Sequence, residues 1–151
     1  MTTLRDLVTV DSGKIFLARV MTLMLAGLWV YWPTVQLLFN KWNNSPEYSH
    51  GYLVPIFSIV LLWNKIDLLD LSKLKVNVWG IGLIAIAMVT RFLSFRYYME
   101  WFDLLSIIPF VGGIVLLSGG WHAFKWSASS VLFLAFMLPL LLHWKLLYEI
   151  L

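Results

Sequence analysis

Cysteine is absent from the 151-residue chain. Disulfides, thiolate metal sites and a cysteine nucleophile supplied by this chain are therefore excluded. Charged residues are also scarce, at 13% of the chain, whereas hydrophobic residues make up 61% of it. A soluble domain of this length needs a charged surface that this composition does not supply. The composition therefore indicates an integral membrane protein, whose first partner is the lipid bilayer.

The sequence contains no motif that indicates binding of nucleic acids, metals or cofactors. The net charge is +3, but the basic residues fall singly between apolar segments and form no stripe that would bind phosphates. The sequence contains no H-E-x-x-H motif, no glycine-rich phosphate loop and no pair of carboxylates within an apolar run. We therefore predict no nucleic-acid partner, no metal and no cofactor.

Long uncharged runs predict about five transmembrane helices, because about 20 apolar residues cross the hydrocarbon core as a helix. The predicted spans lie near residues 20–39, 48–66, 76–95, 104–121 and 127–144. The uncharged part of the second run is short, which also suits a buried or re-entrant segment, but with its flanking residues we interpret it as a span. A tight turn is expected at 122–126. The predicted fold is a single all-α, multi-pass membrane domain over residues 1–151.

Basic residues in the short loops predict the orientation. On the side of the N-terminus lie seven of them, Arg5, Lys14, Arg19, Lys65, Lys73, Lys75 and Lys125. On the other side lie four, Lys41, Arg91, Arg96 and Lys145. This asymmetry predicts a cytoplasmic N-terminus. The polar segments 43–55 and 96–103 are then both expected on the outer side.

The segment 43–55, N-N-S-P-E-Y-S-H-G-Y-L-V-P, carries the most interesting titratable group, His50. A neutral imidazole at the end of a span could accept a proton or orient a substrate. The favoured alternative is that Ser49 and His50 simply cap the second helix. A hydrolytic Ser49–His50 pair is disfavoured, because adjacent helical positions point about 100° apart and no orienting acid follows at helical spacing.

Arg91 lies inside the apolar third span, where an ionisable group is a functional candidate. The somewhat favoured alternative is that it reaches the outer interface and, together with Arg96, meets Glu100 and Asp103. In either case a cation near the outer face could hold a carboxylate or a phosphate. Arg91 and Arg96 are therefore the candidate contacts for an anionic group.

The stretch Y-S-H-G-Y-L-V-P-I-F-S-I-V-L-L-W, residues 48–63, resembles the N-terminal signature of exosortases. These are bacterial multi-spanning enzymes that process proteins bearing a C-terminal sorting tail, and they typically show a P-x-Y-S-H-G-x-L-V-P-like run entering the second span. The matching positions are Pro46, Tyr48, Ser49, His50, Gly51, Leu53, Val54, Pro55, Ser58 and Trp63. A second stretch, F-L-A-F-M-L-P-L at 133–140, is similar to a later span of the family.

The resemblance implies a membrane cysteine transpeptidase or protease whose Cys, Arg and His lie in later spans. Because this chain has no cysteine and ends just after the span that contains Pro139, no catalytic residue is carried over to it. His50 matches the N-terminal signature and not the catalytic His, and Arg91 is likewise not equated with the catalytic Arg. We therefore expect the N-terminal half of an exosortase-like protein, truncated or split, and inactive alone.

The resemblance also implies partners and a place in the cell. The expected partners are a second chain carrying the catalytic half and the C-terminal sorting tails of exported proteins, and the expected location is the bacterial cytoplasmic membrane. The positions Tyr48, Ser49, His50, Gly51 and Pro55 are expected to shape the mouth that receives a tail. The alternative function is a non-catalytic scaffold or assembly factor for exopolysaccharide export. A small transporter is disfavoured, because no charged pair lies at mid-membrane depth.

Overall fold

The computed structural model describes residues 4–44, 51–98 and 100–137. These ranges contain five α-helices, α1 (Leu4–Val30), α2 (Trp32–Asn44), α3 (Leu53–Asn64), α4 (Trp79–Tyr97) and α5 (Glu100–Phe133). Short 3₁₀ helices lie at Ile66–Leu68, Leu71–Lys73 and Leu134–Met137. No strand occurs in the described ranges. The predicted all-α fold is confirmed.

Three of the described helices contain a stretch long and apolar enough to cross a membrane, at Asp11–Val30, Trp79–Tyr97 and Phe102–Phe133. Helix α3 is apolar but shorter. Large apolar side chains remain exposed on these helices, including Leu25, Ile59 and Phe92, as expected for surfaces that face lipid tails. The protein is therefore an all-α membrane protein. The bounds of the five spans and the cytoplasmic N-terminus stay predictions.

A local break at Tyr31 separates α1 from α2. Pro33, just after the break, has no N–H, and a proline ring within a helix clashes with a carbonyl of the preceding turn. The helical ladder nevertheless continues, since the Tyr31 N–H donates to the Gly27 carbonyl at 2.8 Å and the Val35 N–H donates to the Tyr31 carbonyl at 2.9 Å. The two helices thus follow one another along the bundle, and the predicted first span, 20–39, crosses this break.

Helix α5 reverses direction at Gly120, which has φ 73° and ψ −166°. A Cβ atom built on Gly112 would lie 3.2 Å from the Phe124 ring and 3.8 Å from Val131. In a straight helix, residues 112 and 131 would be about 28 Å apart. The parts of α5 before and after Gly120 therefore pack side by side as a hairpin. The reversal precedes residues 122–126, which are helical.

The segment before α4 pairs with the carbonyl groups that the reversal leaves free. The Lys75 N–H donates to the Gly119 carbonyl and the Asn77 N–H donates to the Leu117 carbonyl, both at 3.3 Å. A free carbonyl in an apolar environment is costly, so these two hydrogen bonds explain how the helix can break there. They also fix the segment 75–77 against α5.

The helices meet at two ends, which we call the upper and the lower end. The upper end contains the end of α2 and the starts of α3 and α5, which share a buried core of Leu38, Trp42, Val54 and Leu104. The lower end contains Gly120 and the segment 65–78, where the Asp70 N–H donates to His122 Nε2 at 3.1 Å. The described parts of the segments 43–55 and 96–103 lie together at the upper end.

Candidate functional site

The candidate site is at the upper end, around the start of the exosortase-like signature. Tyr48, Ser49 and His50 lie outside the described residues. Gly51, Pro55, Arg91 and Arg96 lie within them and can be compared with the predictions. Gly51 and Pro55 lie in one place and Arg91 lies in another. Arg96 lies apart from both.

Gly51 lies directly against the indole ring of Trp42. A Cβ atom at residue 51 would approach Trp42 Cδ1 to 2.6 Å, closer than real Cβ contacts come. The indole is only 6% exposed and is in contact with the rings of Phe39 and Tyr52, at centroid distances of 5.4 and 4.8 Å. Because the ring has little room to move, this position requires glycine.

Pro55 occupies the first turn of α3, where its missing N–H would have no helical partner in any case. The preceding Val54 is 5% exposed and belongs to the core of the upper end. Pro55 lines a cavity of about 340 Å³, together with side chains of α1, α2 and α5 that include Tyr31, Phe39 and Phe110. This volume is in the range of small-ligand pockets, about 300–1,000 Å³.

Arg91 belongs to a cluster of polar side chains from three helices, here called the Arg91 cluster and consisting of Arg91, Asp103, Thr34, Tyr31 and Ser106. The Arg91 Nε lies 3.6 Å from Asp103 Oδ1, and the guanidinium carbon lies 4.3 Å from the centroid of the Tyr31 ring. Thr34 Oγ1 donates to Asp103 Oδ2 at 2.6 Å. The Arg91 cluster therefore ties α2, α4 and α5 together.

A second chain of hydrogen bonds supports the same carboxylate residue. Ser106 Oγ donates to the Asp103 backbone carbonyl at 2.6 Å. The hydroxyls of Ser106 and Tyr31 are 2.9 Å apart in a buried position. Because a serine hydroxyl has one hydrogen, Tyr31 is the donor to Ser106. These bonds hold the Tyr31 ring in the position where it meets Arg91.

The Arg91 cluster carries one cation and one carboxylate, so its side-chain charges cancel. The Arg91 and Asp103 side chains are 24% and 20% exposed. Arg91 Nη1 is nevertheless buried and has no hydrogen-bond partner among the described residues. Most buried donors in proteins are satisfied, so this N–H is the part of the cluster with capacity for a further acceptor.

The favoured interpretation of Arg91, a pairing with acidic residues near the end of its span, agrees with the ion pair to Asp103. Glu100 instead pairs with Lys41 at 2.7 Å. Arg96 is exposed and lies about 140° around α4 from Arg91. The structure thus does not bring the two arginines together, and their role as contacts for an anion stays a prediction.

Sequence reasoning missed the hydroxyl residues of the Arg91 cluster. Tyr31 and Thr34 are three positions apart on one helical segment, and Asp103 and Ser106 are three positions apart on another. Polar residues at this spacing share one helix face. In an otherwise apolar span, such a pair is the available signal for a polar contact between helices.

The fold and the site define a class of protein, a helical membrane protein whose ionic cluster and apolar cavity share one end of the bundle. The chain matches the family model for transmembrane exosortase over residues 42–149, which are 108 of its 151 residues. The chain therefore belongs to the transmembrane exosortase family, and the resemblance predicted from the sequence is confirmed. No curated protein and no solved structure matched the chain.

Proposed function

We propose that this chain is the N-terminal membrane portion of an exosortase-like protein-sorting transpeptidase or protease of the bacterial cytoplasmic membrane. In this proposal it does not cleave peptides alone. The observation that carries the proposal is the family match over residues 42–149 in a chain without cysteine. Acyl transfer through a thiolate then needs a nucleophile from a second chain.

The proposed task of the upper end is to receive the C-terminal sorting tail of an exported protein. Pro55 lines the 340 Å³ cavity, and Gly51 packs against Trp42, which also lines it. The apolar lining of this cavity suits an apolar side chain of such a tail. Tyr48, Ser49 and His50 complete the mouth in this proposal. Arg96, which is exposed at the same end, is available to an anionic group of the tail.

Reconstitution tests the division of labour between two chains. The purified chain is placed in proteoliposomes with a fluorescent tailed substrate, with and without a second chain that carries the Cys, Arg and His spans of an exosortase. We expect no cleavage by this chain alone, and cleavage when both chains are present and the second retains its cysteine. Cleavage by this chain alone would contradict the proposal.

The same assay separates the proposal from the alternative, a non-catalytic scaffold for exopolysaccharide export. If the second chain cleaves equally well without this one and does not co-purify with it, the scaffold is favoured. Arg96→Gln tests the mouth and Lys125→Gln is its charge-matched control, because both side chains are exposed but lie at opposite ends. We expect slower cleavage only with Arg96→Gln.

The absence of cysteine makes the proposed orientation easy to test with single-cysteine variants. We expect Ser49→Cys to react from outside intact cells with a thiol reagent that does not cross membranes. Ser72→Cys, at the exposed 3₁₀ helix of the lower end, should react only after the membrane is permeabilised. The reverse pattern would overturn the cytoplasmic placement of the N-terminus.

A further inference from the structure

A second cavity lies near the lower end, between α1, α5 and the segment that precedes α4. Its volume is about 650 Å³, again within the range of small-ligand sites, about 300–1,000 Å³. Apolar side chains, among them Ile15, Leu23, Val76 and Leu117, form most of its wall. We call this cavity the lower groove. It is separate from the cavity beside Pro55 and lies near the opposite end of the bundle.

Three polar side chains line the lower groove, Arg19, Thr22 and Ser118. Thr22 Oγ1 donates its hydrogen to the Ala18 carbonyl at 2.9 Å. The Ser118 side chain differs, because the residue is 3% exposed and its hydroxyl has no hydrogen-bond partner among the described residues. A buried hydroxyl usually has a partner, so the Ser118 hydroxyl has capacity for an acceptor beside the groove that this residue lines.

The charges at the lower groove are of one sign. Arg19 is exposed and forms no ion pair with a described acidic side chain. Lys75 is also exposed and directly precedes Val76, which lines the groove. Its backbone N–H donates to the carbonyl of Gly119, the residue after Ser118. No acidic side chain is among the described residues that line the groove.

Arg19 directly precedes the uncharged part of the candidate span of α1. The candidate span of α1 begins at Asp11, and Arg19 follows about 12 Å further along the helix. A long arginine side chain can reach back from such a position to the headgroup level while its stem packs against apolar groups. The lower groove therefore joins an apolar wall to a positively charged rim.

We propose that the lower groove binds an anionic phospholipid. One acyl chain packs against the apolar wall, and the phosphate lies between Arg19 and Lys75. An ester or glycerol oxygen accepts the hydrogen of the Ser118 hydroxyl. The lipid is anionic rather than zwitterionic because Arg19 lines the groove and Lys75 adjoins it, with no carboxylate among the described lining residues. Basic residues at a membrane surface favour anionic lipids.

Native mass spectrometry of the full chain tests this site, with phosphatidylglycerol and phosphatidylcholine of identical acyl chains as probes. We expect the chain to retain phosphatidylglycerol in preference. Arg19→Gln and Lys75→Gln should each lower its retention about fivefold, the equivalent of about 1 kcal/mol per basic residue. Lys125→Gln removes an exposed lysine that neither lines the groove nor adjoins a lining residue, and it should leave retention unchanged.

Three outcomes would overturn the proposal. The first is equal retention of the two lipids by the unaltered chain. The second is unchanged retention of phosphatidylglycerol by a folded Arg19→Gln/Lys75→Gln double variant, with folding verified by circular dichroism. The third is a dimer that excludes lipid, which would make the groove an interface between copies. Ser118→Ala should lower the retention of both lipids to the same extent, because it removes a hydrogen-bond donor and no charge.

Discussion

The ion pair between Arg91 and Asp103 makes the sharpest prediction about stability. Asp103→Asn removes the counter-charge of Arg91 but keeps an oxygen that can accept from Thr34. Breaking a fully buried pair costs about 3–5 kcal/mol. Here the two side chains are 24% and 20% exposed and the atoms are 3.6 Å apart. We therefore expect Asp103→Asn to lower the free energy of unfolding by about 2 kcal/mol, below the fully buried range.

A double-mutant cycle isolates the pairwise part of this loss. Arg91→Gln with Asp103→Asn removes both charges, so the double variant should be more stable than the sum of the two single changes predicts, by about 1–2 kcal/mol. The matched control is the cycle of Lys41→Gln and Glu100→Gln. That pair is closer, at 2.7 Å, but its side chains are 23% and 57% exposed, so we expect a coupling below about 1 kcal/mol.

Unfolding by sodium dodecyl sulfate in mixed micelles, followed by tryptophan fluorescence, provides the measurement, since the chain has nine tryptophans. If partial burial sets the strength of these pairs, the Arg91 cycle gives the larger coupling. Additive effects at Arg91 and Asp103, within about 0.5 kcal/mol, would refute the reasoning. A larger coupling in the Lys41 cycle would show that atomic distance decides instead.

Gly51→Ala should destabilise the chain by about 1–3 kcal/mol in the same assay, because the added methyl group meets the buried Trp42 ring. Gly120→Ala should lower the free energy of unfolding by more than about 2 kcal/mol, because φ is positive there and the added Cβ contacts the Lys75 carbonyl oxygen. An unchanged unfolding midpoint in either variant would contradict the packing described for that glycine. The free energy of unfolding, measured as a function of pH, should distinguish the unaltered chain from Asp70→Asn. Hydrogen bonds from the neighbouring serine side chain, then from the nearby lysine, lower the pKa of Asp70 from 3.8 to about 2, so the stability advantage of the carboxylate is complete above pH 4 and disappears as the pH falls towards 2.

Composition was sufficient to predict the fold class, because 13% charged residues cannot cover a soluble domain of this size. It was not sufficient to position the helix breaks. The predicted span 20–39 crosses the break at Tyr31, although Pro33 was visible in the sequence. A proline in a membrane helix can be accommodated in several ways, so its presence alone does not decide where a helix ends.

The reversal at Gly120 shows why long-range contacts limit such predictions. The neighbouring glycines at 119 and 120 have equal local freedom, and only Gly120 has a positive φ. The choice depends on hydrogen bonds from Lys75 and Asn77, which are more than 40 positions earlier in the chain. Local patterns do not contain that information.

The candidate site divides in the same way. The pairing of Arg91 with Asp103 was foreseeable, because opposite charges at the same end of neighbouring helices attract. The contribution of Tyr31 and Thr34 was not, since these residues lie at the start of α2 and just before it, about 70 positions away in sequence. Pairing between distant helices is set by the packing of the whole bundle.

Three described positions of the signature, Gly51, Val54 and Ser58, are buried packing positions, whereas Leu53 and Trp63 are exposed. Gly51 admits the Trp42 ring, Val54 is in the core and Ser58 is 6% exposed. The family match begins at residue 42, so it includes both partners of the Gly51–Trp42 contact. Such positions can identify a lineage without performing chemistry, because they preserve the junction of α2, α3 and α5. The buried positions of the signature are therefore explained by the packing of this junction.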